Sequence, residues 1–190
     1  VSNYLKKNGV PIEILTCNKD MSKKFLKGVK FIGTQGSFWF NKSRIVKYIL
    51  CLAILFLNLL FRKDKPLVFA FQANIYAILI AKILNIKIIT RSNSAPSGWS
   101  KNYFKLKIYK LLINMADDVM VNSIEFKKIF EKKFGAKVKY IYNPFDKNFV
   151  DKKIKNKIKN VFFKKNFLNI ISIGRLTSQK DHLTLLKSIK

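Results

Sequence analysis

One histidine, two cysteines and ten acidic residues stand among 190, and only Glu13, Glu125 and Glu131 are glutamates. His182 is alone, so histidine-based metal sites and Ser-His or Cys-His nucleophilic chemistry have little to be built from. Cys17 and Cys51 are far apart in sequence with no histidine beside them. No disulfide framework or zinc site follows, and a reducing cytoplasm is the default compartment. Seven glycines and four prolines are too few for a low-complexity chain. Long apolar runs are also missing. The longest, Tyr48 to Phe61, has fourteen residues, is interrupted by Asn58 and is bounded by Lys47 and Arg62, short of the ~18 that a spanning helix needs. It reads as a buried core helix, with a membrane-spanning scaffold as the rival reading. The polar, lysine-bearing start at Val1 shows no apolar stretch of a cleavable signal.

What is present is a chain that can build a core, with 49% hydrophobic and 14% aromatic residues. Its formal net charge is +28, and only Arg44, Arg62, Arg91 and Arg175 are arginines; the remaining basic residues are lysine. Proteins that grip nucleic acid usually add arginine for its planar fork. Lysine together with abundant Ile, Asn and Phe reads instead as coding bias of an AT-rich genome. Such a surface is still drawn to anionic lipid or nucleic acid. A basic nucleic-acid-binding module is therefore the rival from another class, although no motif for one is present and the charge is spread along the whole chain.

Periodicity and punctuation give an alternation of strands and helices. Val1 to Asn8 reads as a helix end stopped by Gly9, Ile12 to Thr16 and Val29 to Gly33 as strands, and Asn41 as the cap of the long apolar helix. Strands follow at Leu67 to Phe71, Ile86 to Thr90, Val119 to Val121 and Val138 to Tyr142. Between them lie a helix from Asn74 to Leu84, one with Phe104, Ile108, Leu111, Leu112 and Met115 at helical spacing, and one with Phe126, Ile129, Phe130 and Phe134 inward. This order predicts an α/β fold: a doubly wound, Rossmann-like parallel sheet with helices on both faces. From Asp151 to Lys165 seven lysines accompany one aspartate, which reads as a linker or a solvated connector.

The last segment, Ile170 to Leu176, reads as a buried strand ending at Gly174, followed by a turn and a helix with Leu183, Leu185, Leu186 and Ile189 on its apolar face. Arg175 and Lys180 lie five residues apart near that turn. A helix start offers unpaired N–H donors and the positive end of the macrodipole, which suits a phosphate. One strand and one helix cannot bury a core, so this unit is expected to open a second domain.

In order along the chain, "FRKDKPLVFAFQANIYAILIAKILNIKIITRSN", "ADDVMVNSIEFKKIF", "KVKYIYNPFD" and "IISIGRLTSQKDHLTLLKSI" resemble the N-terminal half of a GT-B glycosyltransferase of the retaining family 4 type. The resemblance implies an acceptor-binding domain over 1–146, lacking its first strand, a linker over 147–166 and the start of a nucleotide-sugar-binding domain over 167–190. It implies that Gly174, Arg175 and Lys180 bind the donor diphosphate without a metal or other cofactor. Two fixed cations would stabilise the charge that builds on the leaving group. Most relatives have glycine after this lysine, where Asp181 stands here. The family's two donor-side glutamates, eight positions apart, are absent, so the catalytic residues are unassigned and the chain by itself is expected to be inactive.

On the acceptor side the resemblance implies contacts from Arg91 and Asn93, which could equally shape the loop before Pro96, and from Asn122 and Ser123, for which a plain N-cap reading competes. Asn143 resembles a hinge residue, and Asp117 and Asp118 read as structural. Phe38, Trp39 and Phe40, flanked by Lys42, Arg44 and Lys47, form an aromatic tip with a basic flank that suits docking on an anionic membrane, or else a staple onto the core. The partners implied are a nucleotide-sugar, a glycan or lipid-linked acceptor and an anionic membrane surface, with no specific nucleic acid. The expected location is cytoplasmic, peripheral at the inner face of the membrane.

Overall fold

The computed structural model describes residues 2–16, 27–33, 41–96, 99, 102–155 and 166–189. The aromatic tip Phe38, Trp39 and Phe40 lies outside the described residues. Contacts divide the chain into two compact units, Val1–Pro144 and Phe145–Lys190.

The first unit is α/β with parallel strands throughout. After α1 (Ser2–Lys7) come β1 (Glu13–Leu15) and β2 (Lys30–Ile32), which pair in parallel as a two-stranded sheet. Helix α2 (Arg44–Leu60) leads to β3 (Val68–Ala70), α3 (Asn74–Ile83), β4 (Ile88–Ser92), α4 (Tyr103–Met115), β5 (Asp118–Val121), α5 (Ile124–Phe134) and β6 (Val138–Tyr140). These four later strands form one parallel sheet in the order β3-β4-β5-β6. Parallel neighbours require a crossover, and crossovers are right-handed. An order that never reverses therefore sets α3, α4 and α5 side by side on one face, and α3 touches α4 as α4 touches α5.

That face holds the core. Ala77, Ile78 and Ala81 of α3 pack with Ala70, Ile86, Ile88, Leu59 and Leu112, and Ile113 joins Val119, Val121, Phe130, Phe134, Ala136 and Val138. On the other face of this sheet the register aligns Phe69 with Ile89, and Arg91 with Met120. Phe69 is exposed and Ile89 and Met120 are half-buried. The expectation of helices on both faces thus holds for one face of this sheet among the described residues.

Local chemistry explains most boundaries. Ser123 caps α5 by accepting from the Phe126 N–H at 3.2 Å, Glu125 sits in the first turn, and Lys132 and Lys133 oppose the dipole in the last. Gly135 then closes the helix at φ +62°. Helix α4 is capped by Asn102, which accepts from Lys105 N–H at 3.1 Å. Helix α2 is capped by Ser43 and not by Asn41: the Ser43 hydroxyl accepts from Val46 N–H. Asp117 accepts from Ile88 N–H at 2.7 Å and pairs with Lys82 at 2.8 Å, joining the start of β4 to α3 in the structural role the sequence suggested. Glu13 ties β1 to the end of α2 by an ion pair with Arg62.

Two expectations of burial fail. The run from Tyr48 to Phe61 is no buried core helix: only Leu59 of α2 is buried, and Ile49, Leu57, Leu60 and Phe61 are exposed. In α4, of the residues at helical spacing, Phe104, Ile108, Leu111 and Met115 are exposed and Leu112 is buried, with Ile113. The segment Ile170 to Ile173 is no buried strand: it joins no sheet among the described residues, and Ile173 is 92% exposed. Among the described residues no strand neighbours it to complete a ladder. Among its described residues the second unit also has α6 (Lys147–Ile154), a 3₁₀ turn at Ser178–Lys180 and α7 (His182–Ser188), with no buried residue in either helix.

Candidate functional site

Strands β3, β4 and β5 end at the same edge, and their last residues and the turns after them gather the polar side chains. Open parallel sheets bind ligands at this carboxyl edge. Arg91, at the end of β4, is buried. Its Nε donates to Asn93 Oδ1 at 3.3 Å, and its Nη2 donates to Ile141 O at 3.0 Å and to Asn143 Oδ1 at 2.9 Å. The guanidinium therefore fastens the end of β4 to the segment that follows β6. All three partners are neutral, and none of the ion pairs among the described residues involves Arg91. A buried cation balanced only by dipoles is an unusual arrangement away from a ligand site.

Asn74, the first residue of α3, belongs to the same cluster, although nothing in the sequence singled it out. Its Nδ2 donates to Arg91 O at 3.1 Å and to Ser92 Oγ at 3.2 Å. Its Oδ1 is enclosed without a hydrogen-bond partner, as is Asn122 Oδ1 just past β5. Asn122 is one residue beyond Val121, which pairs in register with Ser92. Thus Arg91, Asn93 and Asn143 are bonded together, Asn74 joins them, and Asn122 stands at the neighbouring strand end. Ser123 is occupied as the cap of α5, the local role that competed with ligand contact.

Beside the same edge Ala73, Ile75, Tyr76, Trp99 and Tyr109 line a shallow, open hollow of about 270 Å³. Ala73 holds φ +53°, the left-handed region that alanine avoids. Trp99 is fixed by edge contacts to Tyr109 at 6.1 Å and Phe130 at 5.5 Å, and by Phe134 at 5.7 Å. Lys133 reaches Pro96 O at 2.7 Å. These contacts hold the part of the β4–α4 connection around Pro96 and Trp99 against α5.

In the second unit Lys180 packs across Gly174, the residue before Arg175. A Cβ at Gly174 would meet Lys180 Cγ at 3.3 Å and Cδ at 3.4 Å, so the lysine stem lies across the glycine. His182, for which the sequence offered no task, bridges the segment: Nδ1 is 3.1 Å from Ser172 Oγ and Nε2 is 3.2 Å from Arg175 O. Asp181 has φ +45° and ψ +44° and caps α7 by accepting from Thr184 N–H. A left-handed residue at this position favours glycine, and aspartate is among the few others that tolerate it. Arg175 and Lys180 are exposed.

Lys42, Arg44 and Lys47 lie at the start of α2 and are exposed or half-exposed. Arg44 is engaged with Tyr48, donating to its hydroxyl from Nε at 2.9 Å. Among the described residues no group of three or more His, Cys, Asp or Glu side chains could hold a metal ion, and no helix is long and apolar enough to cross a membrane. No protein-family model and no curated protein matches the chain.

Proposed function

We propose that the chain carries the acceptor-binding domain of a GT-B glycosyltransferase of the retaining family 4 type, followed by the opening of its nucleotide-sugar-binding domain. The observation that carries this reading is the convergence, at the carboxyl edge of one parallel sheet, of Arg91, Asn93, Asn143 and Asn74 beside a shallow hollow lined by aromatic residues. Neutral carboxamides suit the hydroxyl groups of a glycan, and the faces of Tyr76, Trp99 and Tyr109 suit the apolar side of a sugar ring. Asn122 extends the same edge, while Ser123 contributes through the cap that follows it.

In this reading the donor is a nucleotide-diphosphate-sugar whose diphosphate meets Arg175 and Lys180, with Gly174 allowing close approach. The cations take the leaving charge without a metal. The acceptor is a surface polysaccharide or a lipid-linked glycan, and the transfer proceeds with retention. The protein works in the cytoplasm at the inner face of the membrane, with the segment from Phe38 to Lys47 among its lipid contacts.

The test is a titration of the chain with a nucleoside diphosphate, followed by nuclear magnetic resonance. Binding of roughly millimolar strength is expected at Gly174, Arg175 and Lys180. Arg175→Ala and Lys180→Ala should each weaken it by about tenfold, one charge-assisted contact being worth on the order of 1.5 kcal/mol. Lys187→Ala, in the last turn of α7, should leave it unchanged. An equal loss in all three variants would reduce the interaction to net charge and overturn the donor-site reading.

A further inference from the structure

Arg91 has room for one more partner, and its present partners carry no charge. Nε and Nη2 are spent on Asn93 Oδ1, Ile141 O and Asn143 Oδ1, while Nη1, with two N–H groups of its own, makes no hydrogen bond among the described residues. The residue is 6% exposed. Yet the enclosed side-chain polar atoms without a partner, among the described residues, are Asn74 Oδ1 and Asn122 Oδ1 alone. Nη1 of Arg91 therefore opens to solvent, on a side chain that is otherwise buried.

Counter-charge in the same unit is placed elsewhere. Glu13, Asp117 and Asp118 stand at or beside the first residue of a strand and Asp64 shortly before β3, and they pair with Lys30, Arg62, Lys82 and Lys139. The remaining ion pair among the described residues, Lys127 with Glu131, runs along α5. The acid that follows a strand end most closely is Glu125, in the first turn of α5. It is engaged locally: its own N–H and the Ser123 hydroxyl hold it below the usual carboxylate range. A chain with thirty-eight basic and ten acidic residues thus spends its scarce carboxylates at the amino ends of strands, and none of those described pairs with Arg91.

We infer that Arg91 seats an oxyanion of the ligand, the carboxylate or phosphate group of an acidic glycan acceptor. The planar guanidinium offers N–H groups that such an oxygen accepts with charge assistance, and a contact made away from water is stronger than one at the surface. A neutral hydroxyl could accept from Nη1 as well, but it would leave the buried charge unbalanced. That the oxyanion belongs to a glycan rests on the function proposed above; the need for counter-charge at Arg91 does not.

The experiment is a titration of the chain at physiological salt with glucuronate, glucose 1-phosphate, glucose and acetate, reading the side-chain magnetic resonance signals of Arg91 and Asn93. At least one of the two acidic sugars should bind there about tenfold more tightly than glucose, the gain of one charge-assisted contact; which of them does so tells carboxylate from phosphate. Asn143→Asp exchanges a neutral partner of Arg91 for a carboxylate of the same shape at an exposed position, so circular dichroism should match wild type. The preference for the acidic sugar over glucose should then disappear. Lys137→Ala, exposed before β6 at the amino edge, lowers the net charge by the same one unit and should keep that preference. Glucose binding as tightly as both acidic sugars overturns the inference and leaves the glycan reading standing. Silence of the Arg91 signals toward both acidic sugars also overturns it, as does an equal loss in Asn143→Asp and Lys137→Ala, which would reduce the effect to net charge. Acetate binding at Arg91 as tightly as glucuronate upholds the oxyanion seat and tells against the glycan reading instead.

Discussion

Arg91 illustrates how far single residues could be read. The sequence placed it in the loop after a strand ending at Thr90, whereas β4 runs on to Ser92, and its bonds to Ile141 O and Asn143 span about fifty positions and exist only once β4, β5 and β6 align. Asn74 gave no signal because it opens an otherwise apolar helix, and its partners at Arg91 and Ser92 are supplied by the pairing of β3 with β4. Asp117 yields a prediction at this scale. Lys82 and then the Ile88 N–H hold its carboxyl below the usual carboxylate range. A group depressed on folding stabilises the native state above its unfolded pKa, and that contribution fades as pH falls through the folded value. Wild type should therefore lose stability below about pH 4 more steeply than Asp117→Asn, as urea melts between neutral and acid pH would show. Matching pH slopes for the two proteins would contradict that role.

At the scale of elements, the alternation of strand and helix was legible because parallel strands buried on one face and capped helices leave strong local marks. What misled was α4. Its sequence is apolar at Phe104, Leu106, Ile108, Tyr109, Leu111, Leu112, Ile113 and Met115, so spacing alone supports either stripe as the inward one. Tertiary partners decide: Ile113 faces Phe130 and Phe134, and Tyr109 faces Trp99. Phe134 is central to that choice, being 1% exposed and within 5.5 Å of the Phe130 ring. Phe134→Ala should cost about 3–5 kcal/mol of stability, measured by urea unfolding, and should shift the fluorescence of Trp99. A loss under 1 kcal/mol would mean that the cluster is not a packing centre.

For the whole molecule, the two units differ in how their backbones are satisfied. In the first, helices and parallel strands pair the backbone; in the second, the run from Ile170 to Leu176 joins no ladder among the described residues and shows its apolar side chains to water. The apolar spelling of that run made a strand legible, but a strand is a property of two segments and its neighbour is not among the described residues. Its amides should exchange hydrogen at close to unprotected rates, while those of Ile88 to Ser92 exchange far more slowly. Comparable protection in both would show that the run has found a partner. One contact within that unit has a further meaning. Because the Lys180 stem rests on Gly174, the missing side chain decides where a positive charge sits. A methyl group there would push the stem outward by a few tenths of an ångström, so the lysine keeps its seat next to Arg175 only while that carbon is absent.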